Sequence, residues 1–197
     1  MTGRERREQL MSMGRRAFAE LGFDGTSVEE IAARAGVSKP VVYEHFGGKE
    51  GLYAVVVDRE MLALEKIITG SLDTGSWCER IEQAALALLT YVDEETDGFL
   101  ILVRDSKPGT DRSYSTLLNT AVGQVSHILA EAFTHRGLNA DLAVLYGQAL
   151  VGAVSMTAQW WLDEREPAKE VVAAHIVNLL WNGLKGMEAQ PKLKGNV

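Results

Sequence analysis

The sequence predicts an all-α protein of about nine helices: an N-terminal three-helix domain containing a helix-turn-helix, then a C-terminal helical bundle. Three observations carry this. Apolar residues recur every three to four positions along most of the chain. No segment alternates apolar and polar residues as a half-buried strand does, and no internal repeat is present. Glycine and proline punctuate the ends of the periodic stretches. At 197 residues with 46% hydrophobic content, the chain can bury a real core.

The elements follow in order. Arg4 to Leu21 is the first helix, with Leu10, Ala17, Phe18 and Leu21 on one face and Gly22 as its stop. Ser27 followed by Glu30 is a capping box, so the second helix starts at Val28. Val28, Ile31, Ala32 and Ala35 face inward, and Gly36 ends it. Ser38 can cap a third helix, whose first turn tolerates Pro40 because an N–H there has no partner anyway. Val42 and Phe46 point inward from it, which leaves Lys39, Val41, Tyr43 and His45 outward. Gly47-Gly48 breaks the chain, and a long helix runs from Lys49 to about Ile68. Gly70 to Gly75 is a loop, Trp77 to about Tyr91 a helix, and Asp97 to Asp105 a short helix or turn closed by Lys107-Pro108-Gly109. Asp111 to Arg136 is amphipathic and ends at Gly137. Ala140 to Asp163 is the next helix, and Pro167 separates it from the last, Ala168 to about Met187. The functional partition is 1–48 for a DNA-binding domain, 49–190 for ligand binding and dimerisation, and 191–197 for a flexible tail.

The second and third helices form the informative unit. Small Ala32 lets them cross closely, as a helix-turn-helix requires. An ordinary helical hairpin has the same caps and turn. Two details favour DNA: the third helix exposes a lysine, a tyrosine and a histidine over barely two turns, and its only acid is Glu44. The charge distribution agrees. The net charge is −7, yet residues 1–50 hold eight Lys/Arg against eight Asp/Glu, so the acidic excess lies wholly in the remainder. An acidic body orients a neutral head toward DNA. Arg4, Arg6, Arg7, Arg15, Arg16, Lys39 and Lys49 supply cations, as any solvated helix face also would.

The run from Ala17 to Tyr53 resembles the N-terminal domain of the TetR family of bacterial transcriptional regulators. The resemblance rests on Ala17, Phe18, Gly22, Phe23, Thr26, Ser27, Val28, Ile31, Ala32, Ala35, Gly36, Val37, Ser38, Tyr43, His45, Phe46, Lys49 and Leu52 at fixed spacing. Pro40 departs from the small residue common in the family there. The resemblance implies a dimeric regulator of double-stranded DNA, with Lys39, Pro40 and Val41 nearest base edges and Thr26, Ser38, Tyr43, His45 and Lys49 among the DNA-binding residues. It also implies a dimer built on the last two helices, and a repressor released by a small effector.

The sequence supports the dimer separately. Between Asp141 and Asp163 stand 21 residues without a charge, LAVLYGQALVGAVSMTAQWWL. The length suits a membrane span. Gln148, Ser155, Thr157 and Gln159, and the lack of a positive flank, argue against a membrane. A helix apolar all round must be covered all round, and a second copy of the chain would cover it. A homodimer sets two reading helices about 34 Å apart, one for each half of a palindromic operator.

For an effector, Phe99, Leu102, Arg104, Tyr114, His127, Tyr146, Met156 and Trp160 are the candidate pocket residues, apolar walls with a few polar tips. Aromatics at helical spacing also make plain core. No catalytic constellation is present: the four histidines form no metal-ligand pair, and neither G-x-S-x-G nor H-E-x-x-H occurs. No metal, no cofactor and no enzyme activity are therefore expected. The alternative reading is an all-α small-molecule-binding or enzymatic protein that uses its N-terminal domain only structurally. Cys78 is the single cysteine, which rules out an internal disulfide and suits a reducing cytoplasm. The N-terminus MTGRERREQL has no apolar signal run.

Overall fold

The structure, a computed structural model, describes residues 1–104 and 113–192. The described residues form nine α-helices and no strand: α1 Gly3–Gly25, α2 Val28–Ala35, α3 Lys39–Phe46, α4 Lys49–Leu72, α5 Trp77–Glu94, α6 Thr96–Arg104, α7 Tyr114–His135, α8 Ala143–Glu164 and α9 Lys169–Lys185. A short 3₁₀ turn, Ala140–Leu142, leads into α8. The expected break at Lys107-Pro108-Gly109, the starts and ends placed at Asp105 and Asp111, and the last five residues of the tail lie outside the described residues.

Several boundaries differ from those expected, each for a local reason. α1 starts earlier because Thr2 makes a full capping box: its hydroxyl accepts from Glu5 N at 3.2 Å, and Glu5 Oε2 accepts from Thr2 N at 2.7 Å. Gly22 kinks α1 with φ of 71° rather than ending it, and one further turn follows. α4 runs past Gly70 to Leu72, where Ser71 Oγ donates back to Ile67 O at 2.6 Å. Ser27 caps α2 through Glu30 N, but the Glu30 carboxylate turns to Arg34 instead of closing the box. Ser38 stands at the N-cap of α3 without a side-chain cap bond. The stop at Gly36 is as expected, with φ of 63° and Val37 N–H bonded to Ala32 O at 2.9 Å.

The chain clusters into two compact units. The first comprises Met1–Lys66 and Tyr91–Leu117, so the three N-terminal helices share a core with most of α4, the end of α5 and α6. That core centres on Leu10, Ala17, Phe18, Ile31, Val42, Leu52 and Phe99, all essentially inaccessible. Phe18, Phe23 and Tyr53 pack their rings at 4.8 to 6.2 Å. One polar cluster crosses this unit. Arg15 reaches Glu60 at 2.8 Å and Glu95 at 2.6 Å, and the Tyr91 hydroxyl donates to Glu60 at 2.7 Å. Burial works against the Arg15 charge, but Glu60 and Glu95 more than offset it and raise its pKa. Burial, with the Glu60 carboxylate beside it, pushes the Tyr91 phenol up. The cluster fits because α6 presents Gly98 to it.

The second unit comprises Ile67–Thr90 and Leu118–Val197, with α8 and α9 packed on α7 and the first part of α5. Its core includes Ile81, Leu88, Leu129, Phe133, Trp161 and Ile176. Trp161 Nε1 donates to Pro167 O at 2.7 Å and so ties the turn between α8 and α9.

Two glycine substitutions test this packing. A Cβ at Gly98 would lie 1.9 Å from Glu60 Oε2 and 2.7 Å from Arg15 Nη2, whereas one at Gly123 meets nothing within 4 Å. Gly98→Ala should destabilise the protein by about 1–3 kcal/mol through overpacking. Gly123→Ala, inside α7, should stabilise it by about 0.5–1 kcal/mol. Denaturant midpoints in the reverse order would contradict the described packing of α6.

Candidate nucleic-acid interface and apolar cavity

The outer face of α3 is built from the inside out. Val42 is fully buried and fixes which side faces in. Lys39, Pro40 and Tyr43 are then exposed, with Tyr43 at 54%, and Val41 and His45 are half-buried. Ser38 is exposed at the helix N-terminus with its hydroxyl uncommitted to a cap. These six residues are exposed or half-buried along α3 and its N-cap, with Glu44 exposed among them. Lys39 is ion-paired with Glu29 of α2. That hydrogen bond holds the Glu29 carboxyl below the usual carboxylate range.

Two of the eight expected DNA contacts have side chains bonded within the protein. Thr26 is only 2% exposed, and its hydroxyl lies 2.7 Å from Gly22 O and 3.1 Å from Ala17 O. Its side chain closes the turn after α1. Lys49 is half-buried, with Nζ 2.8 Å from Phe23 O and 4.2 Å from the centre of the Phe23 ring. A resemblance assigns roles by position, and it carries no information about what a side chain touches when DNA is absent.

The expected effector residues divide between the two units, four in each. Phe99, Leu102 and Tyr114 are buried in the first unit, where Phe99 meets Tyr114 edge-on at 5.6 Å, and Arg104 is exposed there. His127 is exposed on α7 near Glu131. Tyr146 packs edge-on against Phe133 at 5.3 Å. Met156 and Trp160 are 64% and 50% exposed on the outer face of α8.

The second unit holds a different apolar cavity of about 70 Å³. Its walls are Ile68 and Leu72 of α4, Trp77, Ile81, Ala84 and Leu88 of α5, Leu118, Ala121, Val125 and Ile128 of α7, Leu150, Val151 and Val154 of α8, and Leu180 of α9. Arg80 and Ser155 also line it, but Arg80 Nε donates to Gly75 O at 2.9 Å and Ser155 Oγ to Gly152 O at 3.2 Å. The surface offered to a guest is apolar throughout. None of the eight expected residues lines it. The α5 stripe Trp77, Ile81, Ala84, Leu88 repeats at helical spacing and was the available signal.

α8 divides its apolar residues between two opposite faces. Leu150, Val151 and Val154 face the cavity. Leu145, Ala149, Met156 and Trp160, with Gly152 and Ala153 half-buried between them, form an outer stripe. On α9, Val171, Ala174, His175, Asn178 and Leu179 form a similar exposed stripe, with Leu179 at 69%. α8 with its leading turn, Ala140–Glu164, is long and apolar enough to cross a membrane by length and composition. Among the described residues no cluster of three or more His, Cys, Asp or Glu could hold a metal ion.

Comparison with known proteins agrees with this layout. Residues 10–56 match the family model of bacterial regulatory proteins of the tetR family, and residues 78–183 match that of the tetracyclin repressor-like C-terminal domain. The transcriptional activator FasR of Mycolicibacterium smegmatis is 27% identical over 183 residues, covering 91% of this chain and 83% of that protein. A TetR-like regulator from Rhodococcus sp. RHA1 superposes with a TM-score of 0.77 at 27% identity, covering 92% of this chain and 97% of the other. FadR of Bacillus subtilis, solved in complex with stearoyl-CoA, has the same fold, with a TM-score of 0.68 at 17% identity over 89% and 98% of the two chains. With a helix-turn-helix head at one end and a matching C-terminal domain across more than half its length, this chain belongs to the TetR family of bacterial transcriptional regulators, which are DNA-binding proteins and not enzymes.

Proposed function

We propose that the chain is a cytoplasmic homodimeric repressor that holds a palindromic operator through α3 and is released by an effector carrying a long apolar chain. The observation that carries the proposal is the division of α8 into a cavity face and an outer face. A ligand site alone needs only the first, and a dimer alone needs only the second.

On DNA, the exposed surface of α3 supports Lys39, Pro40 and Val41 as the residues that meet base edges, with Ser38, Tyr43 and His45 on the flanking phosphates. Lys39 must leave Glu29 to reach a base. Exposed pairs of this kind hold little free energy, so the exchange is cheap. Lys39→Ala should change the preferred base at one position of each half-site, at about 1–3 kcal/mol. Tyr43→Phe should weaken all sites alike. A binding-site profile left unchanged by Lys39→Ala would remove the base-reading role.

For the dimer, the outer stripes of α8 and α9 are the surface a second copy covers, since apolar residues repeat along both and small residues permit close approach. Leu179→Glu, at a site already exposed in one copy, should halve the mass seen by light scattering and leave the helix content intact. A wild-type monomer at micromolar concentration would contradict the dimer and the paired half-sites with it.

For the effector, the wholly apolar wall selects hydrocarbon, and stearoyl-CoA in FadR supports an acyl chain as the class. The cavity is small against the roughly 300–1,000 Å³ of ordinary ligand sites. An acyl chain therefore has to part the walls, and α4 carries both wall residues and the residues that follow the DNA head. Ligand affinity for the parted state then sets how far DNA binding falls. FasR, an activator, marks the second reading, in which the same switch raises transcription. Long-chain acyl-CoA should quench Trp77 fluorescence and release the operator, and free coenzyme A should do neither. Ala84→Phe should abolish the release while leaving operator affinity within about twofold of wild type. Release that persists in Ala84→Phe would place the effector elsewhere.

A further inference from the structure

We propose that Glu29 of α2 reads sequence: its carboxylate accepts from the amino group of a cytosine at, or next to, the base pair that Lys39 meets. The inference rests on α3 being the reading helix. Glu29 stands in the first turn of α2 and is exposed. It is ion-paired with Lys39, the first residue of α3. Other acids of the first unit pair away from α3: Glu8 with Arg59, Glu20 and Glu30 with Arg34, and Glu60 and Glu95 with Arg15. An acid in the first turn of a helix also suits the helix dipole, and Glu30 serves α2 in the same way. That role needs a charge at this end of α2, and it needs no partner on α3. Glu29 thus sits within one side chain's reach of the surface assigned to base edges.

Approach to DNA turns this placement into a constraint. Lys39 donates only, and a guanine offers it two acceptors, O6 and N7. When Lys39 turns to the base, Glu29 loses the hydrogen bond that holds its carboxyl below the usual carboxylate range. An ionised carboxylate accepts and cannot donate, so phosphate oxygens repel it. The donors that the major groove offers are the amino groups of cytosine and adenine. The adenine amino group lies between two acceptors, N7 and the thymine O4, and both repel a carboxylate. The cytosine amino group lies beside guanine O6, the oxygen that suits the lysine. Lys39 and Glu29, side by side in the protein, therefore match guanine and cytosine side by side in the groove. One exposed ion pair is exchanged for two charge-assisted hydrogen bonds to bases.

The probe is the duplex that the wild-type protein selects from a random-sequence pool. Selection with Glu29→Ala should lose a cytosine preference of about fivefold or more at one position of each half-site. Glu29→Gln keeps an acceptor and adds a donor, so it should admit adenine at that position. A carboxylate that only repels phosphate predicts instead that both variants bind every sequence more tightly with an unchanged profile. A second readout removes the amino group from the DNA. Replacing that cytosine by 2-pyrimidinone, which differs in lacking the amino group, should weaken the wild type by about fivefold or more and leave Glu29→Ala unaffected. Unchanged profiles in both variants, or an equal loss on the 2-pyrimidinone duplex in wild type and Glu29→Ala, overturns the proposal. A profile altered by Lys39→Ala and untouched by Glu29→Ala rejects Glu29 alone and leaves α3 as the reading helix. A wild type that selects no sequence removes the reading role of α3 and this proposal with it.

Discussion

A reading helix of eight residues cannot hold itself, and this constraint organises the first unit. Helix formation has a costly start that two turns cannot repay. Everything around α3 therefore supplies support: Ala32 and Ala35 let α2 approach it, Gly36 turns the chain tightly, and Val42 seats it in a core shared with Phe18 and Leu52. Arg7 adds a polar contact at the end of α3, donating to His45 O beside the Phe46 ring. The cost is that several cations in this nearly neutral head are spent internally.

The second unit answers a different constraint. α8 has no charged face along 21 residues and so must be covered on every side. Its own bundle covers the side that lines the cavity, and the opposite side stays exposed in one copy of the chain. The same helix can thereby serve a ligand and a partner.

The fold was largely legible from the sequence, and the sites only partly. Among the described residues periodicity located the helices, with α6 read as a short helix or turn, because burial of one face is a local pattern. Where the boundaries moved, short-range bonds decided: the Thr2–Glu5 box extended α1 and the Ser71 back-bond carried α4 past Gly70. The exposed face of α3 was legible because Val42 and its neighbours fix its rotation. The cavity was not. Trp160 and Ile81 both sit on apolar stripes, and periodicity does not say whether a stripe meets core, void or solvent. Bulky apolar side chains drew attention to Trp160 and Met156, which are exposed, and away from the mostly aliphatic walls. The commitments of Thr26 and Lys49 were hidden for a related reason, since each bonds a carbonyl in or near the last turn of α1, which spacing alone cannot place.

The central claim is that two copies of α3, held by one dimer, read DNA as a pair. Footprinting of the wild-type protein on the duplex it selects tests this most directly. The account predicts two protected half-sites of inverted sequence, about 10–10.5 base pairs or a multiple of that apart from centre to centre. Protection should be lost over both together as protein is diluted. A single protected half-site, or protection without sequence preference, would contradict it.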